Sequence, residues 1–473
     1  MTTGTTSLNK QGSRHRGTIA TRPVYSNLQH LWSFTALGLS YRKVIYPVIS
    51  YMRRSFAIFS LILALFYSAS PTFAGSGEEW LAEHGIDIYG FMDVRGGAWI
   101  SDNLYEKDAS LAELRLQLNV ARDFSWGNIK FKGDLVGDGV TEEIQSELRE
   151  FNLFFSPFNF MDAKLGRQVL TWGTGDLLFI NDLFPKDWES FFIGRDNEYL
   201  KLPNDAVKVS LFSDLVDADL VYIPVFKGST YIDGSRVSYW NPILGRIAGN
   251  DFTFDDQERN SFPDNSSYAA RLYHNFNSFE TALYAYSGFW NTPEGLDPVA
   301  ARLIYPRLNE YGASARGPVL NGIGNLEAGY YDSSEDRDGT DPYIRNSEWR
   351  LLVGYEQELA PDFTGGIQYY LEWMQDYDAY QHSAGQYTKD EYRHLFTLRL
   401  TKLLLNQNLL LSFFVYYSPS DEDGYLRLNS QYKITDQWSA VAGGNIFFGA
   451  DDYTFFGQFE ENDNLYVGLR RTF

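Results

Sequence analysis

The 473-residue chain contains no cysteine, which excludes disulfides and thiolate metal sites. No apolar run within residues 75–473 approaches the roughly twenty residues that a membrane-spanning helix needs. Basic residues are also scarce in this part, where 32 Lys or Arg face 61 Asp or Glu and the formal charge is −29. Because nucleic-acid affinity comes largely from Lys and Arg on phosphates, so acidic a chain is a poor candidate for a nucleic-acid-binding protein.

Residues 1–74 lack acidic side chains altogether but carry eight Lys or Arg. Near their end, Met52-Arg53-Arg54 precedes an apolar run from Phe56 to Tyr67, which is followed by small residues up to Ala74. This order predicts a signal peptide at 52–74 that is removed after Ala74. We interpret residues 1–51 as a leader or a mis-called gene start, and residues 75–473 as one domain.

Aromatic side chains are abundant at 17% of the chain, yet the mean hydropathy of −0.32 is that of a water-soluble protein. An exported chain that is rich in aromatics and polar on average fits a transmembrane β-barrel, because half of each strand faces water. A soluble all-β sandwich could share this composition, so the strand pattern has to decide between them.

Apolar and polar residues alternate through most of residues 86–473. In 111–123, for example, Leu114, Leu116 and Leu118 alternate with Arg115 and Gln117. Such alternation is typical of a β-strand with one apolar and one polar face. The predicted strands are 86–100, 111–123, 128–136, 147–156, 162–172, 205–213, 217–227, 266–275, 278–289, 309–317, 323–332, 346–357, 362–375, 390–403, 408–418, 424–434, 436–448 and 463–473.

The connections between these strands fall into two classes. Those after even-numbered strands are short, whereas most of those after odd-numbered strands are long and acidic. The long connections are 173–204, 228–265, 290–308, 376–389 and 449–462. Short turns on one rim and long loops on the other favour an outer-membrane barrel over a sandwich, and no recurring motif indicates a propeller. We predict an all-β, transmembrane, antiparallel up-and-down β-barrel with long extracellular loops, short periplasmic turns and about 18 strands, with 16 as the alternative.

One strand breaks the alternation. Arg167 falls on the lipid-facing parity of 162–172, and we expect a β-bulge near Gly166 to correct it. The strand 408–418 is apolar on both faces, which weakens its assignment.

The stretch Asp463 to Phe473 (DNLYVGLRRTF) alternates in the same way and ends on an aromatic residue. It resembles the C-terminal signal of Gram-negative outer-membrane β-barrels, which end in an amphipathic strand with a terminal Phe. The resemblance implies that this strand closes the barrel and presents Phe473 to the barrel-assembly machinery.

A barrel of eighteen strands is wide enough to enclose water. Its inward parity supplies charged side chains, which we predict to line the pore either as a selective field or as ion pairs. The candidates are Arg115, Lys130, Lys132, Lys208, Arg271, Arg350, Glu372, Arg393, Arg399 and Arg427.

Loop 173–204 mixes many large apolar residues with charged ones. A loop of this composition should not stand free in water, so we expect it to fold into the lumen and narrow the channel. The alternative is an external flap that rests on the rim. The candidate constriction residues are Asp176, Asp182, Asp187, Arg195, Asp196 and Lys201.

The run GRQVLTWG (166–173), which leads from a strand into this loop, is similar to porin-like barrels of the alginate-export type. That resemblance implies passage of hydrophilic solutes or polysaccharide. The acidic loops depart from this pattern, because they would hinder a polyanion.

Signals for catalysis are weak. The four histidines of residues 75–473, His84, His274, His382 and His394, form no pair at metal-ligand spacing. Neither a Gly-rich phosphate loop nor an EF-hand spacing is present. We predict no enzyme, no cofactor and no metal; Ca²⁺ held by the acidic loops is the alternative to a hydrated acidic surface.

The sequence therefore predicts a porin-like channel in the outer membrane of a Gram-negative bacterium, for passive passage of small hydrophilic solutes or ions. The expected partners are outer-membrane lipid, lipopolysaccharide and the assembly machinery. The alternatives are an exporter or sleeve for a polymer or partner protein, and an outer-membrane enzyme or adhesin. The solute and the oligomeric state stay open, and the acidic mouth favours cations.

Overall fold

The computed structural model describes residues 80–473 except 82, 102, 384 and 386. The predicted leader 1–51 and signal peptide 52–74 lie outside these described residues. Within the described part of the chain, no helix has the length and apolarity that crossing a membrane would require.

Eighteen strands form one antiparallel sheet. They are β1 (Ile86–Trp99), β2 (Leu111–Phe124), β3 (Gly127–Asp138), β4 (Glu143–Phe158), β5 (Met161–Val169), β6 (Pro203–Leu211), β7 (Asp217–Ile223), β11 (Ser267–Phe276), β12 (Phe279–Phe289), β15 (Arg307–Val319), β16 (Gly322–Ser333), β17 (Glu348–Ala360), β18 (Phe363–Met374), β19 (Tyr392–Leu404), β20 (Leu409–Ser418), β21 (Asp423–Lys433), β22 (Trp438–Phe448) and β23 (Asn464–Thr472).

Each of these strands pairs with the next one along the chain, and β7 and β12 pair directly with β11 and β15. The sheet closes because β23 also pairs with β1, in a register that runs from Asn464 opposite Trp99 to Thr472 opposite Phe91. A closed sheet leaves no unpaired edge strand, which is the condition for a β-structure to span a bilayer.

The remaining elements lie in the connections. Short loop strands are β8 (Tyr239–Asn241), β9 (Arg246–Ala248), β10 (Asp255–Asp256), β13 (Gly295–Asp297) and β14 (Arg302–Ile304). The helices are α1 (Trp188–Phe192) and α2 (Tyr377–Ser383), with 3-10 turns at Asn197–Leu200 and Gly457–Asn462.

The predicted fold class is confirmed, and so is the count of eighteen strands. Every predicted strand overlaps an observed one, including the weakly assigned 408–418, and strand ends differ by at most four residues, as at Glu143 and Ile223. The alternation of apolar and polar side chains carries this much information because one face of every strand meets a different environment from the other.

The bulge expected near Gly166 is wrong. Gly166 pairs with Asn152 and Arg167 with Phe151 in an unbroken register, and no residue is added there. Arg167 therefore keeps its outward direction beside Phe151, which is 57% exposed. Its guanidinium is instead neutralised across the sheet by Asp205, through hydrogen bonds of 2.8 and 2.6 Å.

The two faces of the sheet differ sharply. On β2, Glu113, Arg115, Gln117 and Asn119 are all at most 5% exposed, whereas Leu118 on the opposite face is 39% exposed. The same holds round the barrel, where large apolar side chains stand exposed on one parity. Polar and charged side chains occupy the other parity, and the residues of 170–202 contact that face.

Candidate functional site

A single carboxylate on β16 holds one end of the segment 170–202. Glu327, 4% exposed, accepts hydrogen bonds from the backbone N–H groups of Thr174, Gly175 (2.7 Å) and Asn181 (3.4 Å). The Asn181 side chain donates a further bond of 2.9 Å to the same carboxylate. Gathering four N–H donors on one buried carboxylate fixes the turn 174–181 against this wall.

A second carboxylate holds the other end of the segment from β2. Glu113, 5% exposed, forms an ion pair and hydrogen bonds with Arg195. Nearby, Gln117 donates to Glu198 and to the Tyr199 hydroxyl at 3.0 and 3.1 Å.

In the order of strands round the barrel, β2 and β16 lie nine strands apart in either direction. Glu113 and Glu327 thus contact one continuous segment from opposite walls, and both belong to the polar parity of their strands. A segment can touch the same face of opposite strands of a closed barrel only from the interior. We name residues 170–202 the crossing loop.

The crossing loop owes its local structure to side-chain caps. Asp187 caps α1 by accepting hydrogen bonds from the Ser190 N–H (2.9 Å) and hydroxyl (2.6 Å). Asp196 does the same for the 3-10 turn at Asn197–Leu200 by accepting from the Glu198 N–H at 3.3 Å. Because Asp is a strong N-cap residue, these side chains stabilise the first turn of both short helices. Phe191 and Phe192 belong to α1, which places them against the wall.

An apolar cluster joins the crossing loop to the walls. Phe192 packs edge-on against Tyr425 and Phe447 at ring-centroid distances of 5.5 and 5.2 Å, and Phe191 against Tyr425 at 5.8 Å. Burial of such rings makes the interior a packed core on this side of the barrel rather than an open lumen.

Residues 224–266, named here the cap loop, cover the crossing loop from the rim of long connections. Arg236 pairs with Asp138 on β3 and lies 3.1 Å from Glu189 of α1. The Trp188 N–H donates to the Thr230 carbonyl at 3.1 Å. Burial raises the pKa of Glu189, although Arg236 opposes the shift.

All ten predicted pore-lining residues fall on the polar, interior parity. Each is held by a partner, as in Lys130–Glu150 (2.9 Å), Lys132–Glu198 (3.0 Å), Lys208–Asp219 (3.2 Å), Arg271–Asp219 (3.4 Å), Arg115–Asp134 (2.7 Å), Arg350–Glu348 (2.5 Å), Glu372–Arg345 (3.2 Å), Arg393–Asp421 (2.5 Å), Arg399–Asp176 and Arg427–Asn197 (2.7 Å). Arg115 lies under the crossing loop, with its guanidinium 4.0 Å from the Tyr199 ring centre.

The six predicted constriction residues separate into two groups. Asp176, Arg195 and Asp196 reach the walls, where they pair with Arg399, Glu113 and Arg470 respectively. Asp182, Asp187 and Lys201 are used within the loop itself: Asp182 pairs with Lys186 at 3.0 Å, and Lys201 donates to the Thr171 hydroxyl at 2.9 Å.

One sector of the wall stays partly uncovered by the crossing loop. The side chains of Lys130, Lys164 and Lys208 are 33%, 30% and 28% exposed, and that of Arg271 is 18% exposed. Lys164 and Lys208 face each other in register. We name these four residues the basic strip. The four cations of the strip share two partner carboxylates, Glu150 and Asp219.

A small recess lies at the tip of the crossing loop. Its polar lining includes Asp176, Arg316, Asn325, Glu356 and Arg399. Arg316 and Glu356 are near the short turns that follow β15 and β17, so the recess opens on that rim.

Several residues that the sequence did not mark as candidates hold the crossing loop in place. Glu113, Glu327 and Gln368 bind the crossing loop, and Gln368 alone accepts from the Asp176 N–H and donates to its carbonyl at 2.8 and 2.9 Å. Their parity could have marked them as interior. Nothing in the sequence, however, says which interior residues meet a loop that is 82 to 192 positions away.

No three His, Cys, Asp or Glu side chains of the described residues are grouped so as to hold a metal ion.

Two glycines lie in the wall where the crossing loop contacts it, and their lack of a side chain leaves room for the loop. Gly312 on β15 and Gly329 on β16 are opposite each other in register. A Cβ on Gly312 would lie 1.7 Å from Asn181 Oδ1, and one on Gly329 would lie 2.8 Å from Ile180 Cγ2.

We expect Gly312→Ala to push the crossing loop off the wall and to lower the free energy of unfolding by about 1–3 kcal/mol, the usual cost of overpacking. Gly366→Ala is the matched control, because a Cβ there meets nothing nearer than 3.7 Å. Both changes restrict the unfolded chain equally, so the difference isolates the clash. Equal unfolding midpoints in a denaturant titration of the two variants would contradict the placement.

The loop after β1 carries a pH-sensitive contact with the cap loop. Glu106 accepts a hydrogen bond of 2.6 Å from Asn250. Burial, with Asp233 and Glu189 nearby, raises the pKa of Glu106 to about 8 from 4.5. The folded state thus favours the protonated acid, and its stabilising contribution is full below pH 4.5 and is lost as the pH rises through about 8.

Glu106→Gln, which mimics the protonated acid, should therefore flatten the fall in thermal stability between pH 5 and pH 9. Glu142→Gln is the control on the neighbouring turn, since the Glu142 side chain is 64% exposed. Unfolding midpoints measured across this range should show the wild type and the control falling together. A variant curve parallel to the wild type would rule out this assignment.

Neither protein-family models nor curated proteins give a match to the chain. Among solved structures, it is similar to a triple mutant of Rhodopseudomonas blastica porin, with 12% identity, 82% of this chain and 100% of the other covered, and a TM-score of 0.38. For Acinetobacter baumannii OccAB1 the identity is 8%, the coverage 82% and 96%, and the TM-score 0.49. For Pseudomonas aeruginosa OccK11 (OpdR) they are 9%, 82% and 95%, and 0.47.

The resemblance to alginate-export barrels stays a prediction. The fold rests on the hydrogen-bonded register, which closes eighteen strands into a ring. The chain is a closed, eighteen-stranded antiparallel β-barrel.

Proposed function

We propose that the protein is an outer-membrane channel for the passive passage of small hydrophilic solutes or ions. In this proposal the crossing loop narrows the lumen, and the solute passes between that loop and the basic strip. The protein acts on the solute by admitting or excluding it and carries out no chemistry.

The outer surface supports a place in a bilayer. Large apolar side chains stand exposed on the outward parity of strands all round the barrel, among them Leu283 (60%), Leu326 (54%), Ile367 (54%) and Val467 (62%). A monomeric soluble protein rarely exposes so extended an apolar surface. Lipid and lipopolysaccharide are therefore the proposed neighbours of this face.

The proposal rests on one observation: the crossing loop packs against one side of the interior wall and leaves charged side chains on the other side accessible. From β16 round to β23 and β1, the crossing loop buries aromatic side chains such as Tyr331 and Tyr425, both at 0% exposure. Along β3 to β11 the basic strip keeps about a third of its lysine side chains accessible. Water reaches charged side chains on this side, which is where a hydrophilic solute would travel.

The charge of the strip is suited to hydrated passage. Lys130 and Lys164 share Glu150, at 2.9 and 3.9 Å, while Lys208 and Arg271 share Asp219. Exposed ion pairs hold their partners weakly, so these groups can exchange partners with a passing polar solute.

Single cysteines test the route, because the native chain has none. We expect a negatively charged, water-soluble thiol reagent to reduce the single-channel conductance of Lys208→Cys in a planar bilayer, since the reagent adds bulk and a negative charge beside the path. Tyr311→Cys is the control: Tyr311 is 58% exposed and lies on the outward parity of β15, so its modification should leave conductance unchanged.

Two results would count against the channel. One is a wild-type barrel that shows no conductance in the bilayer. The other is equal block of both cysteine variants, which would place the effect outside the lumen.

A further inference from the structure

A row of aromatic side chains marks one level on the outer face of the barrel. Its members are paired in register across the strands from β15 to β19: Tyr311, Tyr330, Trp349, Trp373 and Tyr392. All belong to the outward parity, and Tyr311, for example, is 58% exposed. The row lies near the strand ends that carry the long loops. Because aromatic belts lie at the membrane–water interface, it marks the level of the outer-leaflet head groups in the proposed membrane placement.

Two arginines lie beyond this row, on the side of the long loops. Arg307 begins β15 on the same outward parity as Tyr311. Arg259 belongs to the cap loop, which covers the outer face of β12 here, since Phe289 has outward parity and is nevertheless 0% exposed. The guanidiniums of Arg259 and Arg307 lie 4.2 and 5.0 Å from the ring centre of Phe289. Two positive charges are therefore held close together on the outer rim.

These two guanidiniums are poorly neutralised by the protein. Within the described residues, the Arg307 guanidinium has one hydrogen bond, of 3.1 Å to the Asp264 carbonyl, and no ion pair. In the same part of the chain Arg259 has no hydrogen bond: its Nε is buried without a partner, and the Glu335 carboxylate lies 4.0 Å from its guanidinium. Burial lowers the pKa of Arg259, and Arg307 lowers it further while Glu335 opposes the shift. The pair therefore offers free N–H donors and positive charge to an anion.

Towards the membrane from the aromatic row, the outer face carries what we name the apolar lane. Ala313 and Ala328 are opposite each other in register, and Leu283 and Leu351 flank them in the same row. The two leucines are 60% and 40% exposed, and the alanines between them project less far from the sheet. An acyl chain can pack in such a lane while its head group reaches the arginines. Positive charge beyond the interface and an apolar lane within it match a lipid with an anionic head group.

We propose that Arg259 and Arg307 bind a phosphate group of lipopolysaccharide, with one of its acyl chains in the apolar lane. A planar guanidinium suits this role because it donates two parallel hydrogen bonds to phosphate oxygens. Phe226 and Tyr305 pack on the Phe289 ring at 5.0 and 5.4 Å, so the ring that carries both arginines is fixed before a lipid arrives. The inference rests on the outer-membrane placement proposed above and is independent of conduction through the lumen.

Native mass spectrometry of the folded, detergent-solubilised protein, titrated with lipid A, tests the proposal. We expect the wild type to bind phosphorylated lipid A more tightly than the same lipid after phosphatase treatment. Arg307→Gln and Arg259→Gln should each weaken binding of the phosphorylated lipid by about tenfold, the usual value of a hydrogen bond to a charged group. Binding of the dephosphorylated lipid should stay unchanged in both variants.

Arg122→Gln is the matched control. Arg122 also has outward parity and its guanidinium lies 4.9 Å from the ring centre of Phe124, but it is near the end of β2 that leads into a short turn. It therefore lies at the opposite rim from Arg307, and the variant should bind both lipids as the wild type does.

Equal binding of the two lipids by the wild type would overturn the proposal, and so would an equal loss of affinity in Arg122→Gln and Arg307→Gln. Inorganic phosphate that binds as tightly as lipid A would assign the site to a free anion and overturn the lipid. If an arginine variant fails to fold, the comparison of the two lipids on the wild type decides alone. Conductance of the same preparation tests the channel separately: a phosphate-dependent lipid site without conductance refutes only the channel, and conductance without such a site refutes only this inference.

Discussion

The interior of this barrel depends on two carboxylates that face each other from opposite walls. Glu327 gathers the amides of the turn 174–181, and Glu113 holds Arg195. Because it is held at two opposite walls, the crossing loop must run through the barrel. Buried charged hydrogen bonds are strong and directional, so they fix position as well as contributing stability.

The distribution of apolar and polar side chains is the reverse of that in a soluble protein. The apolar side chains on the outward parity stand exposed, while inside the barrel a packed aromatic cluster coexists with ion pairs. Phe191 and Phe192 give the crossing loop an apolar side that fits the wall at Tyr425 and Phe447. On the other side, the basic strip is left accessible. A loop that packs against one side of the interior and leaves lysine side chains accessible on the other is the arrangement on which the proposed channel function rests.

Much of the fold could be predicted from the sequence, because alternation reports directly on which side of the sheet a residue faces. Leu114, Leu116 and Leu118 against Arg115 and Gln117 placed β2 and its interior face correctly. Alternation is misleading near Gly166, because the outward Arg167 predicts a bulge that the strand does not contain. A charged side chain is tolerated on the outer face here because Asp205 on the neighbouring strand pairs with it.

The candidate site could be predicted less well, for a different reason. Parity identifies interior residues such as Glu327, but not the bond that it accepts from Asn181 of the crossing loop, 146 positions earlier in the chain. Register within the sheet is local information, since it follows from neighbouring strands. The contacts of a loop inside the barrel are set by tertiary packing, which a periodic pattern does not record.

The crossing loop's path through the barrel is tested most directly by amide hydrogen exchange of the purified, folded protein. The account predicts that the N–H groups of Thr174, Gly175 and Asn181 exchange as slowly as those of strand β16, because Glu327 accepts all three. The contradicting result is exchange of these amides as fast as those of Arg337 and Asp338 in an exposed turn, which would place the loop outside the barrel.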